Sequence, residues 1–157
     1  MNAHITENRN FLAPTNWKAV IDQEKYVNTA FFCVDFSIPS VSCTEVPTNF
    51  RGQQGFVPGD HVVYESLTLK FMVDENMVNY QEMFNWILSN VGSAKPIKHD
   101  ILLSVLTSKN NENQKIRFAN CFPTGLSPIS FTTQANGTIE YISCDVTLKY
   151  DYFKFEV

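Results

Sequence analysis

Paired cysteines of the Cys-x-x-Cys type, runs of basic residues and long apolar stretches are all missing from this chain, and each gap removes a class of function. The four cysteines, Cys33, Cys43, Cys121 and Cys144, stand far apart, so their spacing indicates neither a zinc knuckle nor a redox dithiol. They read as reduced, buried thiols; Cys33 and Cys144 fall in alternating stretches where any small apolar residue would pack equally well. No Lys or Arg cluster exceeds two residues, and 12 basic side chains face 16 acidic ones. A protein that grips phosphate backbones needs the opposite balance. No segment approaches the ~20 consecutive apolar residues of a membrane span. Residues 1–10 lack the apolar centre of a signal peptide, so synthesis in the cytoplasm is expected.

Catalytic groupings are equally scarce. A hydrolase needs a nucleophile, a base and an orienting partner converging on one pocket. The three histidines are scattered: His4 in a polar terminus, His61 in a Pro- and Gly-rich loop, and His99 in a connector, where it reads as solvent-exposed. Cys43 with His61 is the one conceivable Cys/His pair, and a turn role for His61 is the simpler reading. Asp74-Glu75 could form a carboxylate pair, but its place just before a helix favours capping and dipole roles. There is no phosphate-cradling loop with a lysine, no His pair at metal-ligand spacing and no dinucleotide glycine fingerprint, so no cofactor is expected. Asn136-Gly137-Thr138 matches a glycosylation sequon and is read as a turn. The expectation is a non-enzymatic protein whose surface is its function.

What the chain has in quantity is aromatic residues, 13 Phe, 6 Tyr and 2 Trp in 157, a diet that favours strands, with 6 Gly and 7 Pro placed between the apolar runs. One domain of this size buries enough surface to be stable without staples. A strand is expected over 17–22, with Trp17, Ala19 and Ile21 on one face, followed by a polar break at 22–28. Extended runs over 30–36 and 41–46 follow. Residues 47–61 read as a long loop or protruding hairpin in which Phe50, Phe56 and Val57 lack a local sheet to bury them. Residues 62–73 alternate strictly, Leu67, Leu69, Phe71 and Val73 facing one way and Ser66, Thr68, Lys70 and Met72 the other.

That strand hands over to an amphipathic helix, with Asp74 and Asn76 available as caps, Met77, Tyr80, Phe84, Ile87, Leu88 and Val91 on one stripe, and Gly92 as its end. Trp86 beside the stripe is read as core packing rather than as a filler of a partner's groove. Residues 101–108 and 115–122 read as a hairpin across the polar tip 109–114. A further strand is expected over 129–134, with Asn136-Gly137 turning it into a long final strand from Ile142 through Cys144, Val146, Leu148 and Tyr150 to Tyr152.

The ordered set resembles the tail tube proteins of contractile-tailed bacteriophages and related tube-like baseplate proteins. It is carried by Phe36-Ser37-Ile38-Pro39, Pro58-Gly59-Asp60, the run from Leu67 to Glu75, Phe84-Asn85-Trp86-Ile87, the stretch from Phe122 to Phe131, and Thr147-Leu148-Lys149-Tyr150-Asp151-Tyr152. The resemblance implies a mainly β (α+β) fold, an antiparallel β-sandwich or partial barrel with one flanking helix, closing into a ring barrel on oligomerisation. It implies a homo-hexamer in stacked rings, contacting tail sheath and baseplate or hub proteins in a phage virion, with DNA passing through the lumen without specific binding. It places the hairpin between Val41 and Val63 at the contact between rings, with Phe50, Arg51, Gly55, Phe56, Val57, Gly59 and Asp60 as inter-ring residues. Ser66, Thr68, Lys70, Ser143, Asp145, Thr147 and Lys149 are the expected lumen-facing set, although its lysines depart from an all-acidic lining. The mild acidity suits a channel in which DNA must slide.

The N-terminal arm 1–16 and the tail 153–157 have no place in that pattern, so a tube-initiating or baseplate hub adaptor ring of the same fold is the nearest alternative. From a different class, the aromatic interior could belong to a monomeric β-barrel holding a small apolar ligand.

Overall fold

The computed structural model describes residues 11–21, 33–134 and 137–156. Expectations for residues 1–10, for the polar break at 22–28, for residues 30–32 and for Asn136 lie outside the described residues. Within them the order is β1 (Trp17–Val20), β2 (Cys33–Ser37), β3 (Val41–Phe50), β4 (Gln53–Tyr64), β5 (Leu67–Met72), α1 (Val78–Asn90), β6 (His99–Leu106), β7 (Glu112–Leu126), β8 (Ser143–Lys149) and β9 (Tyr152–Glu156).

Seven strands form an antiparallel sheet in the order β1-β6-β7-β8-β5-β2, with β9 added alongside β7. The long β7 is the joint. Its first half lies between β6 and β9, and its last residues, Phe122 to Leu126, pair with β8. The switch occurs at Asn120, whose φ of 56° marks a left-handed kink. Three carboxylate contacts brace it: the Asn120 amide donates to Asp100 Oδ1 at 2.9 Å, its side chain donates to Asp151 Oδ2 at 2.6 Å, and Arg117 holds Asp100 from below through Nε at 2.8 Å.

The kink curls the sheet over its own apolar face until its two ends meet. Trp17 on β1 and Phe36 on β2 approach to 6.1 Å between ring centroids, and Phe36 reaches Phe118 on β7 at 5.6 Å. Strict alternation decides what fills the interior: Leu67, Leu69 and Phe71 from β5 interleave with Cys144, Val146 and Leu148 from β8, against Ile101, Leu103, Ile116 and Phe118 from β6 and β7. Among the described residues the sheet does not close on itself and a single helix flanks it, which gives the mainly β sandwich or partial barrel that the resemblance implied.

Several expectations are corrected. The helix buries Asn79, Met83 and Trp86 most deeply; of the expected stripe Met77, Tyr80, Phe84, Ile87, Leu88 and Val91, Tyr80 packs against the core, Met77 and Ile87 are half-buried, and Phe84, Leu88 and Val91 are exposed. The phase is set by polar anchors that periodicity ignores. Trp86 Nε1 donates to the Ile97 carbonyl at 2.9 Å, and Asn90 exchanges two hydrogen bonds with the Ile97 backbone. At the other end Asn79 Nδ2 donates to the Met72 carbonyl at 2.6 Å while its Oδ1 accepts from Asp74 N–H and Tyr80 N–H. Asn79 thus pins α1 to the end of β5, and Asp74 and Asn76 do not cap it: the N-cap is Met77, in left-handed conformation, with no side-chain cap bond.

Residues 129–134 form no strand, because among the described residues no neighbouring strand offers a ladder there; they belong to the irregular segment 127–134 after β7. The long final strand breaks at Tyr150-Asp151, where the chain crosses from β8 to β9. Residues 153–156 of the tail therefore have a place: Phe153 and Phe155 pair alongside Phe118 and Ile116 of β7. The 62–73 alternation is likewise two strands, parted at Glu65-Ser66.

Candidate assembly surfaces

The β3–β4 hairpin carries a long run of exposed apolar side chains. It is longer than the 47–61 segment suggested, with 10 residues in β3 and 12 in β4, and it forms a two-stranded sheet of its own. A two-residue turn closes it at Arg51-Gly52, with φ of 46° and 82°, the mirror-image turn whose twist matches paired strands. Gly59 makes a bulge possible lower down: a Cβ there would lie 2.0 Å from Thr44 Oγ1 and 2.6 Å from the Thr44 carbonyl oxygen. The register puts Val46 opposite Val57 and Pro47 opposite Phe56, so both faces of the outer half carry apolar side chains. Phe50 is 73% exposed and Phe56 61%. The base is tied to the body, where Tyr64 meets Tyr150 and Phe153 at 5.9 and 5.6 Å between ring centroids.

Sheet edges are a second exposed resource. β1 and β2 end the strand order, and each has one side without a paired strand among the described residues. β2 is bulged between Cys33 and Asp35, which limits how a further strand could join it.

The outer face of β2, β5 and β8 is polar and continuous. Register rows place Ser37, Thr68 and Thr147 in one line and Asp35, Lys70 and Asp145 in the next, with Ser143 opposite Met72 and Lys149 opposite Phe122. Lys70 Nζ lies 3.9 Å from Asp145 Oδ1, so this lysine has an opposite charge as its cross-strand neighbour in a solvent-exposed pair. Thr68, Lys70, Asp145, Thr147 and Lys149 therefore share one surface, and Ser66 adjoins it just before β5.

No protein-family model matches the chain, and no curated protein matches it at a significant level. Solved structures do. The chain is similar to a protein in the tube-terminating cap of the anti-feeding prophage, with a TM-score of 0.72 at 16% identity over 99% of this chain and 97% of that one. It is similar to one in the extended sheath/tube terminator of PVC, an extracellular contractile injection system, with a TM-score of 0.72 at 18% identity over 96% and 100% of the two chains. A chain of the extended PVC sheath–tube complex gives 0.67 at 19% identity over 94% and 93%. This is the tail-tube fold.

On the tail-tube fold, the residues weighed earlier for catalysis do not converge. His61 Nδ1 meets Asp60 Oδ1 at 2.8 Å and Cys43 Sγ contacts the Thr44 carbonyl, all on the exposed hairpin. Cys43 is therefore not a buried thiol. Cys121 and Cys144 are fully buried, and Cys33 partly so; burial pushes the Cys33 and Cys121 thiols up to about 12, far from a reactive thiolate. His99 is not solvent-exposed, since its ring packs edge-on against Trp86 at 5.2 Å. Asp74 and Glu75 sit in the turn before α1. Among the described residues no group of three or more His, Cys, Asp or Glu could hold a metal ion, and no helix is long and apolar enough to cross a membrane.

Sequence reasoning missed the cleft where the end of β5, the turn into α1 and the loop before β8 converge, lined by Met72, Met77, Phe131 and Tyr141 among others. The only signal available was a cluster of apolar residues at 129–142, which read more simply as a strand and a turn.

Proposed function

We propose that this chain is a structural ring subunit of a contractile tail-like apparatus, with identical copies joined side by side about a sixfold axis and rings stacked through the β3–β4 hairpin. The observation that carries this reading is the hairpin itself: a long paired ribbon with one bulge, apolar on both faces of its outer half and, among the described residues, packed on the body through aromatic contacts at its base. A two-stranded ribbon is marginal alone in water, so this one gains its stability by docking. The strand edges left open at β1 and β2 find partners in neighbouring copies, as edge-rich sheets require. The inter-ring set Phe50, Arg51, Gly55, Phe56, Val57, Gly59 and Asp60 all lies on this arm.

In that ring the polar face of β2, β5 and β8, with Thr68, Lys70, Asp145 and Thr147, lines the lumen, an uncharged-to-mixed wall along which an ejected cargo, DNA in a phage tail, slides without being held. Sheath outside and baseplate at one end are the other partners. Two of the similar structures come from a tube-terminating cap and a sheath/tube terminator, each matched over 96% or more of this chain. That favours, as a second reading, a ring present once at the end of the tube in place of the repeated subunit.

Negative-stain microscopy of the concentrated protein tests the proposal. Rings or short tubes are expected, and Phe56→Asp should remove the stacks while leaving the fold intact. Monomers at every salt concentration, alone and with sheath or baseplate partners, would overturn it. Titrating the wild type separates the two readings: the repeated subunit grows into long tubes, a terminal ring stops at one or two layers.

A further inference from the structure

We propose that the cleft beyond the end of β5 is the socket that receives the hairpin tip of a second copy of this chain. The inference rests on the stacking reading and names its receiving surface. The cleft has a volume of about 640 Å³, with Met72, Met77, Phe131 and Tyr141 supplying its apolar wall. Its rim carries Asp74, Glu75 and Glu140, no cation is among its lining residues, and none of the three carboxylates forms an ion pair among the described residues.

The hairpin tip is the complement of this site. Arg51 is the only charged residue between Pro47 and Val57. It occupies the first position of the two-residue turn at φ 46°, where Asn, Asp or Gly is at ease and arginine is strained by about 1 kcal/mol. Its guanidinium lies 5.5 Å from the Phe50 ring centroid, so the tip presents a cation and an aromatic face together. Docked, Phe50 covers Phe131 and Tyr141, each at least 75% exposed in the single chain, and the guanidinium reaches the acidic rim.

Placement completes the case. The hairpin leaves the body at Val41 and Tyr64, next to the start of β5. The cleft lies past Met72, at the other end of that strand and about 17 Å away at ~3.3 Å per residue. An arm at one end and its acceptor at the opposite end make a heterologous contact, which repeats head to tail without closing and so generates a stack.

Arg51, Glu75 and Glu140 are all exposed, so their substitutions leave the fold unburdened. Sedimentation velocity of Arg51→Glu and of Glu75→Lys/Glu140→Lys should each show stacking weakened roughly tenfold, and mixing the two proteins should restore it, because each supplies the charge the other lacks. In a Cys43→Ser background, Gln53→Cys with Glu140→Cys should give an oxidised ladder of linked chains on non-reducing gels. If Phe56→Asp abolishes stacking while the charge reversals have no effect and no ladder forms, the socket is elsewhere and the stacking reading stands. If Phe56→Asp leaves stacking unchanged, both fail.

Discussion

Gly59→Ala isolates the hairpin from everything else in the molecule. The new methyl carbon would sit 2.0 Å from Thr44 Oγ1 and 2.6 Å from the Thr44 carbonyl oxygen, far inside contact distance. The hydroxyl can rotate away, but the carbonyl is backbone at a bulge, so the two strands must part. Overpacking of this kind costs about 1–3 kcal/mol. A two-stranded ribbon has local stability of about 1 kcal/mol or less, so the outer hairpin should open while the body stays folded. Because the loss is capped at the ribbon's own small contribution, Tm should fall by less than about 4 °C. Hydrogen exchange at the amides of Val46 and Val57 should become as fast as in an unfolded peptide, with amides of β5 and β8 unchanged, and ring stacking should disappear. Thr44→Ala should not rescue the variant, since the carbonyl remains. Wild-type protection at Val46 and Val57 in Gly59→Ala, or a Tm loss above about 8 °C, would refute the claim that the arm is tightly apposed yet independent of the body.

Other parts of the structure make separate demands. Trp86→Ala empties a fully buried site and removes the indole hydrogen bond to the Ile97 carbonyl, so urea denaturation should show a loss of about 3–5 kcal/mol, whereas Phe84→Ser on the exposed face of α1 should stay within about 0.5 kcal/mol. For Asp100, partial burial raises the carboxyl, but the Asn120 amide and the Arg117 guanidinium outweigh it and hold the group below its ordinary value of 3.8. Its stabilising contribution is therefore complete above pH 3.8 and lost as pH falls through the lower folded value; given its exposure it amounts to about 1 kcal/mol or less, and Asp100→Asn should flatten acid unfolding in that window. A water-soluble thiol reagent should modify Cys43 quickly in the native protein and reach Cys121 and Cys144 only on unfolding, which mass spectrometry reads directly.

Where a side chain's neighbours are set by period alone, the sequence was enough. Leu67, Leu69 and Phe71 alternate with Thr68 and Lys70, and the same rule sorts Cys144, Val146 and Leu148 from Asp145 and Thr147; both sets bury as expected. The β6–β7 hairpin and the arm around Phe56 were legible from their turn residues. The helix face was not, because Phe84, Leu88 and Val91 outweigh Asn79 in any apolar count, although Asn79 is the residue whose hydrogen bonds to Met72 and Asp74 pin the helix to the end of β5. The strand expected at 129–134 failed for a complementary reason: a ladder needs a neighbour, and no local pattern reveals that none is in reach. The bend at Asn120 depends on Asp100 and Asp151, 20 and 31 residues away, so sequence proximity carried no trace of it.

The most direct measurement is sedimentation velocity of the intact protein beside Phe56→Asp, followed by microscopy of the same samples. Concentration-dependent rings and stacks are expected for the wild type and, for Phe56→Asp, a folded protein with unchanged far-ultraviolet circular dichroism that no longer stacks. Identical assembly by the two proteins, or monomers alone from both, would contradict the hairpin's role as an arm between copies.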